Sequence, residues 1–173
     1  MARRSVGVSS GSSVSEQGVP EGEYVAFYRR EYPGAVRLAG LLTGSGSSGE
    51  DVAQEALMIM RDRFAQAQNP SAYLRGVVVN RCRRWHRDRA QAQRRLELLR
   101  ANAVTMEESA GGELADIVEN LPFRQRVVIV GRYWGDWSEQ EIADALGCRP
   151  GTVKSLASRA MANLRHQLGE AAQ

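Results

Sequence analysis

Apolar residues recur along this chain at helical spacing, and no stretch shows the strict alternation of a strand. Tyr24, Tyr28, Ala35, Ala39 and Leu42 predict a first helix over about 23–42. Pro33 falls inside it and predicts a break or kink near Tyr32, because proline has no N–H and its ring meets the carbonyl four residues back. The Gly/Ser run 44–49 reads as a flexible connector. Val52, Ala56, Met60 and Phe64 then form one stripe of a second helix, beginning at Ser48 or Gly49, with Asp51, Glu55 and Asp62 on another face. Asn69-Pro70 reads as a cap followed by proline at the first helical position. It opens a third helix, from Ser71 to about Arg100, with Leu74, Val78, Cys82 and Trp85 as its apolar stripe.

The C-terminal third carries the sharpest local signal. Leu121-Pro122 starts a helix ending near Trp134, and Gly135-Asp136 makes a turn. Ser138 is an N-cap, and Glu141 three residues later completes a capping box, with Trp137 and Ile142 placed for a hydrophobic staple across it. A helix over 139–146 follows, with small Ala143 where two helices must cross closely. Gly147 opens a tight turn, and Pro150 starts a last helix reaching about Leu168, with Val153 facing back into the core. That spacing is what a helix-turn-helix requires. Its second helix presents Arg149, Thr152, Lys154, Ser155, Ser158 and Arg159, all able to donate to phosphates or base edges.

Charge sharpens the picture more than the total of +3 suggests. Residues 70–100 hold nine arginines against two acids, and residues 101–120 hold five acids and no base. A basic helix of this density is the footprint of a phosphate-binding surface. On it Arg75, Arg81, Arg83, Arg84, Arg87 and Arg89 stand among Tyr73, Asn80, Trp85 and His86. Aromatic rings can stack on exposed bases, and Asn can read a base edge. Trp85 and Tyr73 fit the core of an amphipathic helix equally well. The acidic stretch 101–120 is expected to mask these arginines or to thread a basic channel of a partner.

The Ser/Gly-rich residues 1–20 cannot bury enough apolar surface to fold, and they lack the apolar core of a secretory signal. Residues 101–113 lose periodicity and read as a linker. Two cysteines, Cys82 and Cys148, fit small buried hydrophobes in a reducing cytoplasm. Only His86 and His166 are available to a metal or to acid–base catalysis, with no ligand spacing and no nucleophile–base pair. An enzyme is therefore disfavoured, and no cofactor or metal site is expected.

Taken together, these pieces resemble the sigma-70 superfamily of RNA polymerase sigma factors, in its extracytoplasmic-function group and the sigma-E-like form common in actinobacteria. The resemblance covers roughly residues 21–168. Residues 24–33 (YVAFYRREYP) with 38–44 (LAGLLTG) resemble region 2.1, and 50–57 (EDVAQEAL) resembles region 2.2. It implies that Asp51, Gln54 and Glu55, with Met58 and Arg61 nearby, dock on a coiled coil of the largest catalytic subunit of core RNA polymerase. Residues 69–75 (NPSAYLR) through Asn80-Arg81 and the following arginines resemble regions 2.3 and 2.4, which melt and read the −10 promoter element. Phe64, Tyr73, Arg75, Asn80, Arg81, Arg83, Arg84, Trp85 and Arg87 are the implied −10 contacts, with Asn80 and Phe64 near a base flipped from the stack. Residues 121–126 (LPFRQR) open region 4, whose helix-turn-helix reads the −35 element. Two departures stand out. Leu156 occupies a position that is usually polar, so it either packs inward or meets a thymine methyl. Gly49 stands where an acid usually precedes Glu50.

The expected architecture is all-α: a tail at 1–20, region 2 at 21–100, a flexible linker at 101–113, region 4 at 114–168, and a tail at 169–173. The expected partners are core polymerase, promoter DNA and an anti-sigma factor, with no membrane segment. A stand-alone helix-turn-helix regulator is the competing reading; it explains residues 137–165 and leaves 24–90 unexplained.

Overall fold

A computed structural model of the chain describes residues 21–99 and 117–171. The tail at 1–20 and the linker at 101–113 lie outside them. All regular structure among the described residues is helical: α1 (Glu21–Thr43), α2 (Gly46–Arg63), a 3-10 turn (Phe64–Gln66), α3 (Pro70–Leu99), α4 (Phe123–Tyr133), α5 (Glu139–Leu146) and α6 (Pro150–Ala171). A single helical turn at 117–119 precedes α4.

Helix α1 runs without a break through Pro33, so of the break or kink expected there the break does not occur. The physical reason is packing on both sides of the proline. Phe27 before it and Ala35, Ala39 and Leu42 after it are all buried against α2 and α3. Tertiary burial of this kind overrides a local helix penalty of about 3 kcal/mol.

The Gly/Ser run is also not a loose connector, because α2 already begins at Gly46. Ser45 caps it, its hydroxyl accepting from the Ser48 N–H at 3.3 Å. The buried Thr43 hydroxyl closes the end of α1 by donating to the Ala39 carbonyl at 2.8 Å. Gly49 is where α1 and α2 touch: a Cβ placed there would stand 2.5 Å from the Gly40 nitrogen and 2.6 Å from its Cα. A side chain of any size at position 49 would therefore meet the α1 backbone.

Helix α3 is about 45 Å long at 1.5 Å per residue. Asn69 caps it, its side-chain oxygen accepting from the Ala72 N–H at 3.0 Å. Leu74, Val78 and Cys82 are fully or almost fully buried, as their stripe predicts, while Trp85 is half-buried at the edge. Burial pushes the Cys82 thiol up to about 12, so it behaves as a small hydrophobe.

The C-terminal helices follow the sequence closely. Ser138 and Glu141 form both halves of the capping box, and Gly147 ends α5 at φ +62° in the left-handed region. Asp136 takes the turn before α5 at φ +49°, a conformation Asp tolerates better than most residues. Trp137 and Ile142 close together over Gly131, where a Cβ would lie 2.8 Å from the indole. Ala143 and Val153 are buried at the α5–α6 crossing. Leu156 is only 8% exposed and packs inward.

The two helical groups pack against each other. One hydrophobic cluster runs through both, joining Leu74 and Val78 of α3 to Val130, Trp137, Ala145 and Leu146. A cavity of about 300 Å³ lies in the seam between α1, α3 and α4. Burial of a large aliphatic side chain such as Leu42, Leu57 or Met60, all completely enclosed here, contributes about 1.5–3 kcal/mol.

Candidate nucleic-acid interface

Three surfaces carry the residues singled out by sequence. The first is the outer face of α2, where Asp51, Gln54, Glu55, Met58 and Arg61 are all exposed. Met58 is 70% exposed, an apolar side chain standing among charges. Two acids of α2 have partners: Glu55 pairs with Arg81 of α3 at 2.6 Å, and Tyr32 donates to Glu50 at 3.0 Å. Arg81 thus faces α2, and its buried Nε has no hydrogen-bond partner.

The second surface is α3, and its residues are divided between solvent and the C-terminal helices. Tyr73, Asn80, Arg84 and Arg87 are exposed. Tyr73 and Asn80 line a cleft of about 410 Å³ with Gln68, Asn69 and Val77, and the far wall is Asp144 and Ala145 of α5. Trp85 stands edge-on to His86, ring centres 4.8 Å apart, with the Arg89 guanidinium 5.3 Å from its own ring centre. Phe64 is half-buried against Tyr24 and Phe27, with centroid distances of 5.5 and 5.0 Å. Arg75 and Arg83 are taken up across the seam. Arg75 pairs with Glu141 and lies 5.4 Å over the Trp137 ring. Arg83 donates to the Leu146 carbonyl at 3.4 Å and lies 5.9 Å over Phe123.

The third surface is α6. Arg149 just before it and Thr152, Lys154, Ser155, Ser158 and Arg159 on it are all exposed. Lys154 lies 3.7 Å from Glu139 on α5, a loose contact that leaves its side chain 70% exposed. Ser155 spends its hydroxyl proton on the Gly151 carbonyl at 3.2 Å but keeps acceptor capacity.

The sequence reasoning missed the seam residues. Arg126 is only 6% exposed, and its guanidinium donates to the carbonyls of Leu42 (2.7 Å), Glu119 and Leu121 (3.4 Å). His86 of α3 donates to the same Leu42 carbonyl at 2.7 Å. The end of α1 is therefore capped by one side chain from α3 and one from α4. Burial holds the His86 ring below its usual range, and the charges of Arg126 and Arg89 push the same way. A signal for Arg126 was present: it falls three and four residues before the buried Ile129 and Val130, a lone charge on an apolar stripe. Glu141 is held below the usual carboxylate range chiefly by the Ser138 N–H and hydroxyl, with Arg75 adding to them. It serves the helix cap and the seam at once. Of the acidic stretch 101–120, only 117–120 is described, and Glu119 there lies near Arg126. The expected masking by the rest falls outside the described residues.

Among the described residues no group of His, Cys, Asp and Glu is arranged to hold a metal, and no helix is long and apolar enough to cross a membrane.

The Sigma-70 region 2 model matches residues 27–92, and the Sigma-70, region 4 model matches residues 111–164. An RNA polymerase sigma-E factor of Streptomyces avermitilis is 34% identical over 152 residues, spanning 84% of this chain and 85% of that protein. The ECF RNA polymerase sigma factor SigM of Mycobacterium tuberculosis is 31% identical over 150 residues, spanning 82% and 75%. The sigma factor RpoE of Bartonella quintana, solved with the anti-sigma factor NepR, superposes with a TM-score of 0.70 at 21% identity, covering 85% of this chain and 97% of that one. At that identity it attests the fold alone, two helical regions in the same order. The chain belongs to the sigma-70 family, among its extracytoplasmic-function members, and is a non-enzymatic factor for promoter-specific initiation of transcription.

Proposed function

We propose that α2 docks this chain on core RNA polymerase in the cytoplasm, that α3 reads and helps open the −10 element, and that α6 reads the −35 element. The observation that carries the proposal is the exposed face of α2. A methionine 70% exposed among Asp51, Gln54, Glu55 and Arg61 is apolar surface without a partner in the chain, as expected of a protein-docking face. On α6 the exposed side chains are donors suited to phosphates and base edges, and the inward Leu156 leaves base reading to its neighbours. On α3, Asn80 and Tyr73 are exposed, one able to read a base edge and the other to stack on an unstacked base.

Neither DNA contact has to be tight alone. Once α2 is docked, each region meets its element at the effective concentration set by the complex. The relatives solved with anti-sigma factors support a partner of that class here as well. A lone helix-turn-helix regulator would have no use for the exposed acidic and apolar face of α2.

The test is a titration of labelled chain with core polymerase. Met58→Glu and Asp51→Arg weaken binding at least about tenfold, the loss expected when a central interface residue is replaced. Binding of α6 to duplex DNA is unchanged. Equal polymerase affinity for both variants and the parent chain would refute docking through α2.

A further inference from the structure

We infer that the cavity between α1, α3 and α4 is a binding site for a small apolar carboxylate, a straight-chain acid of about eight to ten carbons.

Volume and walls set the body of the ligand. The cavity measures about 300 Å³, at the lower end of the range for small-molecule sites. At ~30 Å³ for each water-sized group, it holds on the order of ten non-hydrogen atoms. Leu38 and Leu41 of α1, Leu74 and Val78 of α3 and Val130 of α4 supply aliphatic wall. The indoles of Trp134 and Trp137 complete it. A wall of this kind offers water few polar partners and favours an apolar chain.

Charge at the rim sets the head. The ionic side chains lining the cavity are Glu31, Arg37 and Arg75. Glu31 already accepts from Arg30 at 3.0 Å and from the Ser71 hydroxyl at 2.9 Å. Arg75 is held by Glu141 and lies over the Trp137 ring. Arg37 is exposed and has no hydrogen-bond or ion-pair partner among the described residues. The charge left for a ligand is therefore a guanidinium, whose planar fork matches a carboxylate. Gly34 and Trp134 line the same cavity and are also exposed. The cavity thus opens to solvent, and the head keeps part of its hydration, which spares it the cost of full burial.

The walls come from both helical groups, α1 and α3 on one side and α4 on the other. An acid held here binds the packed arrangement and stabilises it in proportion to occupancy.

Chain length separates a cavity from a merely apolar surface. Binding to an open surface strengthens with each added methylene, whereas a cavity of fixed volume rejects a chain that outgrows it. The full chain is titrated with sodium hexanoate, octanoate, decanoate and tetradecanoate, each below its aggregation threshold. Tryptophan emission reads the binding, because two of the three indoles line the cavity, and thermal melts read the stabilisation. Affinity should peak at octanoate or decanoate and fall at least about fivefold at tetradecanoate, and decanoate should raise the melting temperature with its concentration. Arg37→Gln, at an exposed position, should weaken decanoate about three- to tenfold and leave decan-1-ol unaffected. Leu38→Phe, which narrows the cavity, should weaken decanoate more than hexanoate. Affinity that keeps rising to tetradecanoate, or no saturable change with any acid, overturns the site. Equal effects of Leu38→Phe on decanoate and hexanoate overturn its placement in this cavity. Unchanged decanoate affinity in Arg37→Gln overturns the carboxylate head.

Discussion

Replacing Arg126 tests whether a buried cation, and not apolar contact alone, joins the two regions. Its guanidinium donates to three carbonyls, of which Leu42 also accepts from His86. Arg126→Met fills similar volume and removes the charge. Leu42 keeps its histidine donor, while the Glu119 and Leu121 carbonyls lose Arg126. Each buried acceptor left without a donor costs about 1–3 kcal/mol, or about 2–6 kcal/mol for two. The offset is that the cation was itself expensive: burial lowers its pKa, and its Nε has no partner. A net loss of about 2–4 kcal/mol is expected. Arg126→Lys should cost at least as much, because it keeps a buried charge while giving up the planar fork that reaches three acceptors. Urea unfolding followed by circular dichroism at 222 nm measures both variants. A loss below about 1 kcal/mol for Met, or full stability for Lys, refutes the reasoning.

Three further outcomes follow from other parts of the structure. Gly49→Ala meets the Gly40 backbone at 2.5 Å and should cost about 1–3 kcal/mol, whereas Gly46→Ala enters open space and should be neutral or slightly stabilising; thermal melts separate the two. Lys154→Ala and Arg159→Ala should each weaken duplex binding and lower the slope of log affinity against log salt by about one phosphate contact, so an unchanged slope places them off the backbone. The unfolded His86 ring titrates near its usual value of about 6.5, and the folded ring lies lower because burial, Arg126 and Arg89 disfavour its charged form. Between those values the unfolded chain binds more protons, so His86 favours folding above about pH 6.5 and loses that contribution as pH falls toward the folded value. The decline between pH 7.5 and 5.5 should be shallower in His86→Gln, and equal slopes would contradict it.

What could be read from sequence divides by the range of the interaction. The capping box at Ser138 and Glu141, the left-handed Gly147 and the Asn69 cap are contacts within a few residues, and each stands where the residue types demand. Pro33 and the 44–49 run went the other way. In both, a local preference for breaking the helix is overridden by packing, of Ala35 and Ala39 against α2 and of Gly49 against Gly40. The seam was not legible as geometry, because its partners are far apart: 66 residues separate Arg75 from Glu141, and 84 separate Arg126 from Leu42. Periodicity shows that Arg126 lies on a buried stripe, but not which carbonyls receive it. The candidate DNA-contacting residues on and just before α6 all reach the surface, whereas on α3 Tyr73, Asn80, Arg84 and Arg87 do so while Arg75, Arg81 and Arg83 face other helices. Counting basic residues along α3 could not distinguish arginines that await a phosphate from arginines already paired.

Run-off transcription tests the central claim most directly. Core RNA polymerase is supplied with fragmented genomic DNA from the source organism, with and without this chain. New discrete start sites, present only with the chain and sharing two sequence blocks about two helical turns apart upstream, are the predicted result. No new start sites, with specific duplex binding by the chain alone, would contradict it.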